Sequence, residues 1–309
     1  MSRGTAVTGQ LFLLALIIGC TSTDNGTQVD TGGAGQAGMS PICAGSEQGG
    51  AAGTRGEAAT EAGAAGAAIS DSGAAGADAG AAGTSAHAGS CSLFNGVDFS
   101  GWDRYLGKPS HDPKADELPL GIDNDPRGVY SIVMVDGEPA IRISGEIWGS
   151  LISQREFCDF KLHAQFKWGS AVFSIKDSGI MFLSSGPLGA VNAGGNELAN
   201  PIGSAAFMVS AEYQISPNDV GSLYNLGPIA FAQSVHDVRP ESKSWNEVEI
   251  SLQDDQASLL LNGHEVSRGS GFVLDLPDQP PSALRCGKLQ LQSEGAEIFF
   301  RHLEIEELP

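Results

Sequence analysis

Nine runs of alternating or continuously apolar residues lie between positions 129 and 305, and none keeps a helical period beyond two turns. They are 129–135, 140–144, 160–166, 179–183, 207–215, 245–252, 257–261, 288–292 and 297–305. Aromatic and β-branched residues crowd them, which suits a pleated, half-buried surface. Asp136-Gly137 and Asn262-Gly263 punctuate them as tight turns. Many short strands with regular turns predict an all-β antiparallel sandwich or jelly roll.

The chain before residue 91 has a different character. From about residue 24 to 90 the composition collapses to Gly, Ala, Ser, Thr and a few acids. Side chains no larger than Ala bury too little surface to offset the entropy of ordering, so a disordered Gly/Ala-rich tether is expected. Its root-mean-square reach is roughly 40–50 Å. Ahead of it, Arg3 precedes an apolar run from Leu11 to Ile18, too short to span a bilayer and shaped like a secretory signal. Ile17-Ile18-Gly19-Cys20 resembles the lipobox of bacterial lipoproteins. That resemblance implies a signal peptide over 1–19, lipidation of Cys20 and a membrane partner reached through the lipid anchor alone. Thr21, where an inner-membrane lipoprotein often has Asp, implies an outer-membrane or surface address. The organisation expected is thus 1–19 signal, 20–90 linker and 91–309 folded domain.

The formal net charge of −20 argues against nucleic acid as a partner, since phosphate binding needs a basic face. With Cys20 assigned to lipid, Cys43, Cys91, Cys158 and Cys286 remain, an even number in an exported chain. Cys158 with Cys286 would staple the domain, and Cys43 with Cys91 would close a loop in the tether. No Cys has the close Cys or His neighbour of a zinc site.

The run from Phe207 to Ile215 carries the residue of greatest chemical interest. Alternation puts Glu212 and Gln214 on one face and Tyr213 and Ile215 on the other. A carboxylate in mid-strand gives up hydration, so it is paired, used, or turned to an open solvated face; the residues alone leave these alternatives open.

The ordered set LFNGVDFSGW, CDFKLHAQFKWG, DSGIMFL, AEYQI, GSLYNL, SWNEVEI, LLLNGHEV and GKLQLQSEGAEIFFRHLEI resembles the 3-keto-disaccharide hydrolase family across nearly all of residues 92–309. Members of that family are also described as 3-keto-glucoside lyases and 3-keto-2-hydroxy-glucal hydratases. The resemblance implies a concanavalin A-like lectin/glucanase jelly roll acting on an oligosaccharide or glycoside substrate. A ketone at C3 of a sugar acidifies the C2 proton. A base removes that proton, the C1 oxygen leaves, and water adds back across the double bond. Such a site needs a base, an acid and donors for the enolate.

On that reading Glu212 is the base and Gln214 a donor to sugar hydroxyls or the enolate. Asp177 is a second acid/base group or a metal ligand, weighed against an ordinary turn aspartate. Parity places Asp177, Gly179, Met181 and Leu183 on one face, with Gly179 leaving room for a sugar ring. Leu183 departs from the family, where many relatives end this strand with Arg or His. His236, read in a loop, is a candidate acid or metal ligand, against a merely exposed histidine. Tyr224 and Trp245 are candidate stacking platforms, against core aromatics. Arg301 shares strand parity with the apolar Phe299, Leu303 and Ile305, and is either a buried structural arginine paired with a carboxylate, the preferred reading, or a site residue reaching through. No spacing compels a metal, although the resemblance admits a divalent cation. The main alternative is a non-catalytic carbohydrate-binding module on a lipid tether, which Leu183 favours. A glycosidase of the two-carboxylate type fits less well, because this strand carries Glu212 alone among acids. A structural surface protein with a vestigial cleft is the third reading.

Overall fold

The computed structural model describes residues 43, 89–110, 116–192, 195, 197–237, 239–276 and 279–309. The expected signal segment, Cys20 and most of the tether lie outside the described residues. Fifteen strands are β1 (Cys91–Ser92), β2 (Trp102–Leu106), β3 (Gly121–Ile122), β4 (Tyr130–Val135), β5 (Glu138–Ile143), β6 (Gly149–Phe157), β7 (Phe160–Ser185) and β8 (Val209–Ile215), followed by β9 (Leu223–Leu226), β10 (Ile229–His236), β11 (Asn246–Gln253), β12 (Gln256–Leu261), β13 (His264–Leu274), β14 (Ser282–Ala283) and β15 (Gly287–Glu307). No helix occurs among the described residues.

The strands form two antiparallel layers that share β7 and β15. In the first layer β10, β13, β12, β11, β7, β15, β5 and β4 lie side by side. In the second the order is β9, β8, β7, β15, β6, β2 and β3. The expected all-β jelly-roll sandwich is the fold observed. The sequence runs 160–166 and 179–183 are two halves of one strand, as are 288–292 and 297–305. β-Bulges carry each strand from one layer to the next: an extra residue bends the strand without ending its ladder.

The largest irregularity lies in β7. Trp168 pairs with Ile298 and Asp177 with Gly295, so β7 advances nine residues while β15 advances three. The surplus lies within 169–176, a bulged segment that still meets β15 where Val172 pairs with Ala296. Ser174 and the backbone of Ile175 lie so close over Gly295 that any side chain there would collide with them.

The core fills the space between the layers. Phe182 of the second layer meets Phe272 of the first edge-on, with centroids 6.0 Å apart. The hydroxyl of Tyr213, itself fully buried, donates across the gap to the carbonyl of Leu260 at 3.2 Å. Along β8, Val209, Ala211, Tyr213 and Ile215 belong to this core, each large side chain worth about 1.5–3 kcal/mol when removed from water. The alternate residues of β8 must therefore face outward from the sandwich.

Both expected disulfides are present, Cys158–Cys286 and Cys43–Cys91. The first joins the β6–β7 turn to the start of β15. The second holds Cys43 beside β1, where its N–H donates to the carbonyl of Ser92 at 3.1 Å.

Candidate functional site

β8 sits between β7 and β9 in the second layer, and its register fixes what Glu212 meets. Glu212 pairs with Met181 on β7 and with Tyr224 on β9, while Gln214 pairs with Gly179. On the far side of β7, Met181 pairs with Gln290, and Asp177 with Glu294. Residues directly opposite in an antiparallel ladder share a face. The outer face of this layer therefore gathers Glu212 and Gln214, Asp177 and Gly179, Gln290 and Glu294, and Tyr224. Gln292 joins them by alternation along β15.

Glu212 is 4 % exposed and Glu294 6 %. Asp177 and Gln214 are half-buried at the rim, and Tyr224 is exposed. Gly179 makes room for the Glu212 carboxyl, not for a sugar ring: a Cβ at 179 would strike Glu212 Oε1. A Gln292 hydrogen bond supports the Glu212 carboxyl. Glu212 Oε1 and Gln292 Oε1 are nonetheless buried without hydrogen-bond partners.

Burial pushes the Glu212 carboxyl well above its ordinary range, and the charges of Glu294 and Asp177 push the same way. Burial raises Glu294 to about 8, with Asp177 contributing. Asp177 rises to about 6, through burial first and the charge of Asp219 second. Its 2.9 Å hydrogen bond from the Ser178 N–H and one from Gln214 act against that rise. At neutral pH this leaves Asp177 mostly ionised and Glu294 mostly protonated. Glu212, expected to be an ionised base, is pushed by burial toward its protonated form.

Deeper on the same face, Gln290 anchors a closed polar network. Its amide N–H groups donate to Ser184 Oγ and Ser210 Oγ, each at 2.8 Å, and its Oε1 accepts from Ser150 Oγ at 2.7 Å. Ser184 reaches this face because Leu183 adopts φ +53° and breaks the alternation. Leu183 is 1 % exposed and packs in the core. The parity expected for Leu183 is therefore corrected: the polar tip of this strand is Ser184, one residue later.

On β9, Tyr224 Oη donates to Asp219 Oδ2 at 3.1 Å, and Ser222 Oγ donates to Asp219 Oδ1. His236 is not in a loop; it ends β10 in the first layer, exposed, contacting Gln233 at 3.3 Å. Trp245 also belongs to the first layer. Arg301 covers its ring at 4.1 Å, and its Nε1–H donates to Asp136 at 2.9 Å. Arg301 ion-pairs with Glu138 at 3.1 Å, the structural pairing expected of it. Its apolar parity partners differ from expectation, because His302 at φ +51° shifts the phase and leaves Arg301 on the outer face with Phe299. Glu212, Asp177, Gln214, Gly179 and Tyr224 are thus brought together, while His236 and Trp245 stand apart from them.

Sequence reasoning missed Glu294, Gln292, Gln290 and Ser184. The alternation Gln290, Gln292, Glu294 in LQLQSE was the available signal, since three polar residues in step on a buried strand require a shared polar face. Among the described residues no group of three or more His, Cys, Asp or Glu is arranged to hold a metal ion. The carboxylates supply hard oxygen donors but not a convergent coordination shell.

Residues 89–306 match the 3-keto-alpha-glucoside-1,2-lyase-like domain. The chain belongs to that family. No curated protein sequence matches. Among solved structures, a "putative glycosyl hydrolase" from Parabacteroides distasonis is 19 % identical, aligning over 72 % of this chain and 95 % of its own at a TM-score of 0.45. A β-glucanase from Bacillus licheniformis is 10 % identical over 69 % of this chain and 94 % of its own, at a TM-score of 0.36. The carbohydrate-binding module CBM66 from Bacillus subtilis is 11 % identical over 58 % and 92 %, at 0.35. Family membership makes this lyase-like domain a carbohydrate-active one.

Proposed function

We propose that the outer face of the second layer is the active site of an enzyme that cleaves 3-keto-glycosides by elimination and then hydrates the product. The observation that carries this reading is the convergence of Glu212, Glu294 and Asp177 with their acidities driven apart. Carboxyl groups whose environments separate them in this way divide into an acid and a base.

Asp177, half-buried at the rim and ionised at neutral pH, removes the C2 proton next to the ketone. The electron pair moves toward C1, and the C1–O bond breaks. Protonated Glu212 supplies the proton to the departing oxygen, and Gln214 and Gln292 offer amide N–H groups to the enolate. In the second half, water adds its oxygen to C1 while a proton returns to C2. This exchanges the roles first read from the sequence, where Glu212 was the base; its burial makes it the acid. Ser184, one residue after Leu183, brings a hydroxyl to this face, which supports the enzyme over the non-catalytic lectin. We also propose that Cys20 is lipidated and tethers the domain to the cell envelope, outer membrane or surface, as its lipobox implies.

The full-length protein should release the leaving group from a 3-keto-glucoside and not from the unoxidised glycoside. The pH profile of kcat/KM should be bell-shaped, rising through about 6 as Asp177 ionises and falling at higher pH as Glu212 gives up its proton. Glu212→Gln should lower kcat on the order of a hundredfold, and Asp177→Asn should lower it at least as much. A rate that climbs monotonically above pH 8, or turnover untouched by either change, would remove these assignments.

A further inference from the structure

The turn that joins β8 to β9 carries a carboxylate to which the acid–base scheme gives no part. Both oxygens of Asp219 are engaged: Oδ2 accepts from Tyr224 Oη at 3.1 Å and Oδ1 from Ser222 Oγ. The turn itself is fastened by its backbone. The Asp219 N–H donates to the Ser216 carbonyl at 3.0 Å, the Gly221 N–H to the Gln214 carbonyl at 2.8 Å, and the Gln214 N–H to the Ser222 carbonyl at 2.9 Å. The Gln214 side chain in turn bonds Asp177. The turn, the end of β8 and Asp177 therefore form one hydrogen-bonded frame.

This frame acts on two neighbours. Tyr224 stands opposite Glu212 in the β8–β9 ladder and is 44 % exposed. An exposed ring is free to change rotamer unless its far end is held, and Asp219 holds it. With its hydroxyl proton committed to Asp219, what Tyr224 offers a sugar is its flat face. The other neighbour is Asp177. The titratable groups gathered with it are Glu294 on β15, Glu212 on β8, Asp219 on the turn and Tyr224 on β9. The cations adjoining the frame are paired elsewhere, Lys176 with Glu241 and Arg239, which bridges to Val220, with Asp237. The charge of Asp219 therefore acts on Asp177 uncompensated and makes it hold a proton more tightly, which makes it a stronger base.

We propose that Asp219 is a positioning residue of this face: it pins the Tyr224 ring as a platform for the sugar beside Glu212 and sets a fixed negative charge next to Asp177. The proposal rests on the functional reading above and adds to it a residue that acts only through its neighbours.

The test follows a 3-keto-glucoside with the full-length protein and, in parallel, the carboxyl carbon resonance of Asp177 against pH. Asp219→Asn removes the charge but keeps an acceptor for the hydroxyls. Both the acid limb of kcat/KM and the Asp177 resonance should move to lower pH by about half a unit or more, with KM changed less than about twofold. Asp219→Glu, which restores the charge, should bring both back toward wild type. Tyr224→Phe keeps the charge and loses the bond, so KM should rise about threefold with the acid limb unmoved. A turn that is merely structural would lower Tm in these variants and move neither the resonance nor KM. An Asp177 resonance unmoved in Asp219→Asn, or a KM unmoved in Tyr224→Phe, would overturn the proposal. A resonance that moves while the acid limb stays upholds the charge and removes Asp177 as the base, a failure of the functional reading instead. Absence of turnover by the wild type would also defeat that reading. The Asp177 resonance then decides alone: a shift in Asp219→Asn upholds the role of Asp219, and none ends it.

Discussion

The two outer faces of the sandwich treat their acids in opposite ways. On the first layer Asp136, Glu138, Glu249 and Glu297 each have a cation beside them. Asp136 accepts from Lys167 at 3.0 Å and from Trp245, Glu138 pairs with Arg301 and His302, and Glu249 lies near Lys161 and His163. Glu297 is met by Arg142 at 2.6 Å and by the Ser170 N–H at 3.0 Å. Burial works against its charge, yet these partners hold its carboxyl below the ordinary range. On the second layer, the interactions that shift Glu212, Glu294 and Asp177 include no cation; each is raised by burial and by its acidic neighbours. A carboxylate that only stabilises a sheet is best served by a counter-charge, as on the first face. Crowding uncompensated acids costs stability, and such sites are where protons are exchanged with a ligand.

The sharpest way to break that contrast is Gly179→Ala. The new methyl would displace the Glu212 carboxyl from its place over the strand, so turnover should fall at least about tenfold, with overpacking costing about 1–3 kcal/mol. Retained activity would show that the position of Glu212 does not matter.

A second measurement asks whether the acids are protonated in the folded chain. Between pH 4.5 and about 8 the native state keeps a proton on Glu294 that the unfolded chain has lost. Raising the pH therefore favours unfolding: this contribution is complete below pH 4.5 and disappears as pH passes about 8. Asp177 adds a like contribution between 3.8 and about 6. Each retained proton gives a slope of about 1.4 kcal/mol per pH unit within its window. Urea denaturation at pH 5 and pH 8 should show wild type losing stability, and Glu294→Gln should lose less. A pH-independent midpoint would contradict the buried, unpaired state of these groups.

The smallest effect is expected on the first face. Arg301→Met removes the cation over Trp245 and the ion pair with Glu138. It should cost about 1 kcal/mol, or about 2–4 °C in Tm, and leave kcat and KM unchanged. A catalytic defect here would mean that the two faces are not separate in function.

Part of the site was legible before the fold was known. Alternation along β8 separated Glu212 from Tyr213 correctly, and Asp177 and Tyr224 were singled out from strands that do flank it. Parity failed at Leu183 and around Arg301, where residues in a left-handed backbone conformation reset it. A period-2 reading has no means of anticipating a bulge, because the bulge is dictated by the neighbouring strand and the bend between layers. Trp245 and His236 were drawn to the site for their chemistry, yet they stand on the other layer.

By itself the sequence determined the class of fold and left an even number of cysteines free to pair, because alternation, turn residues and composition act locally or restrict the whole chain at once; which cysteines meet was decided by the fold. The sequence also placed the chain in its family, through an ordered set of fragments. Only the tertiary structure decided which acids share a face and which of them holds its proton. Those depend on desolvation and on charges contributed by strands far apart in the chain, with Glu212 and Glu294 brought together only through β7 between them.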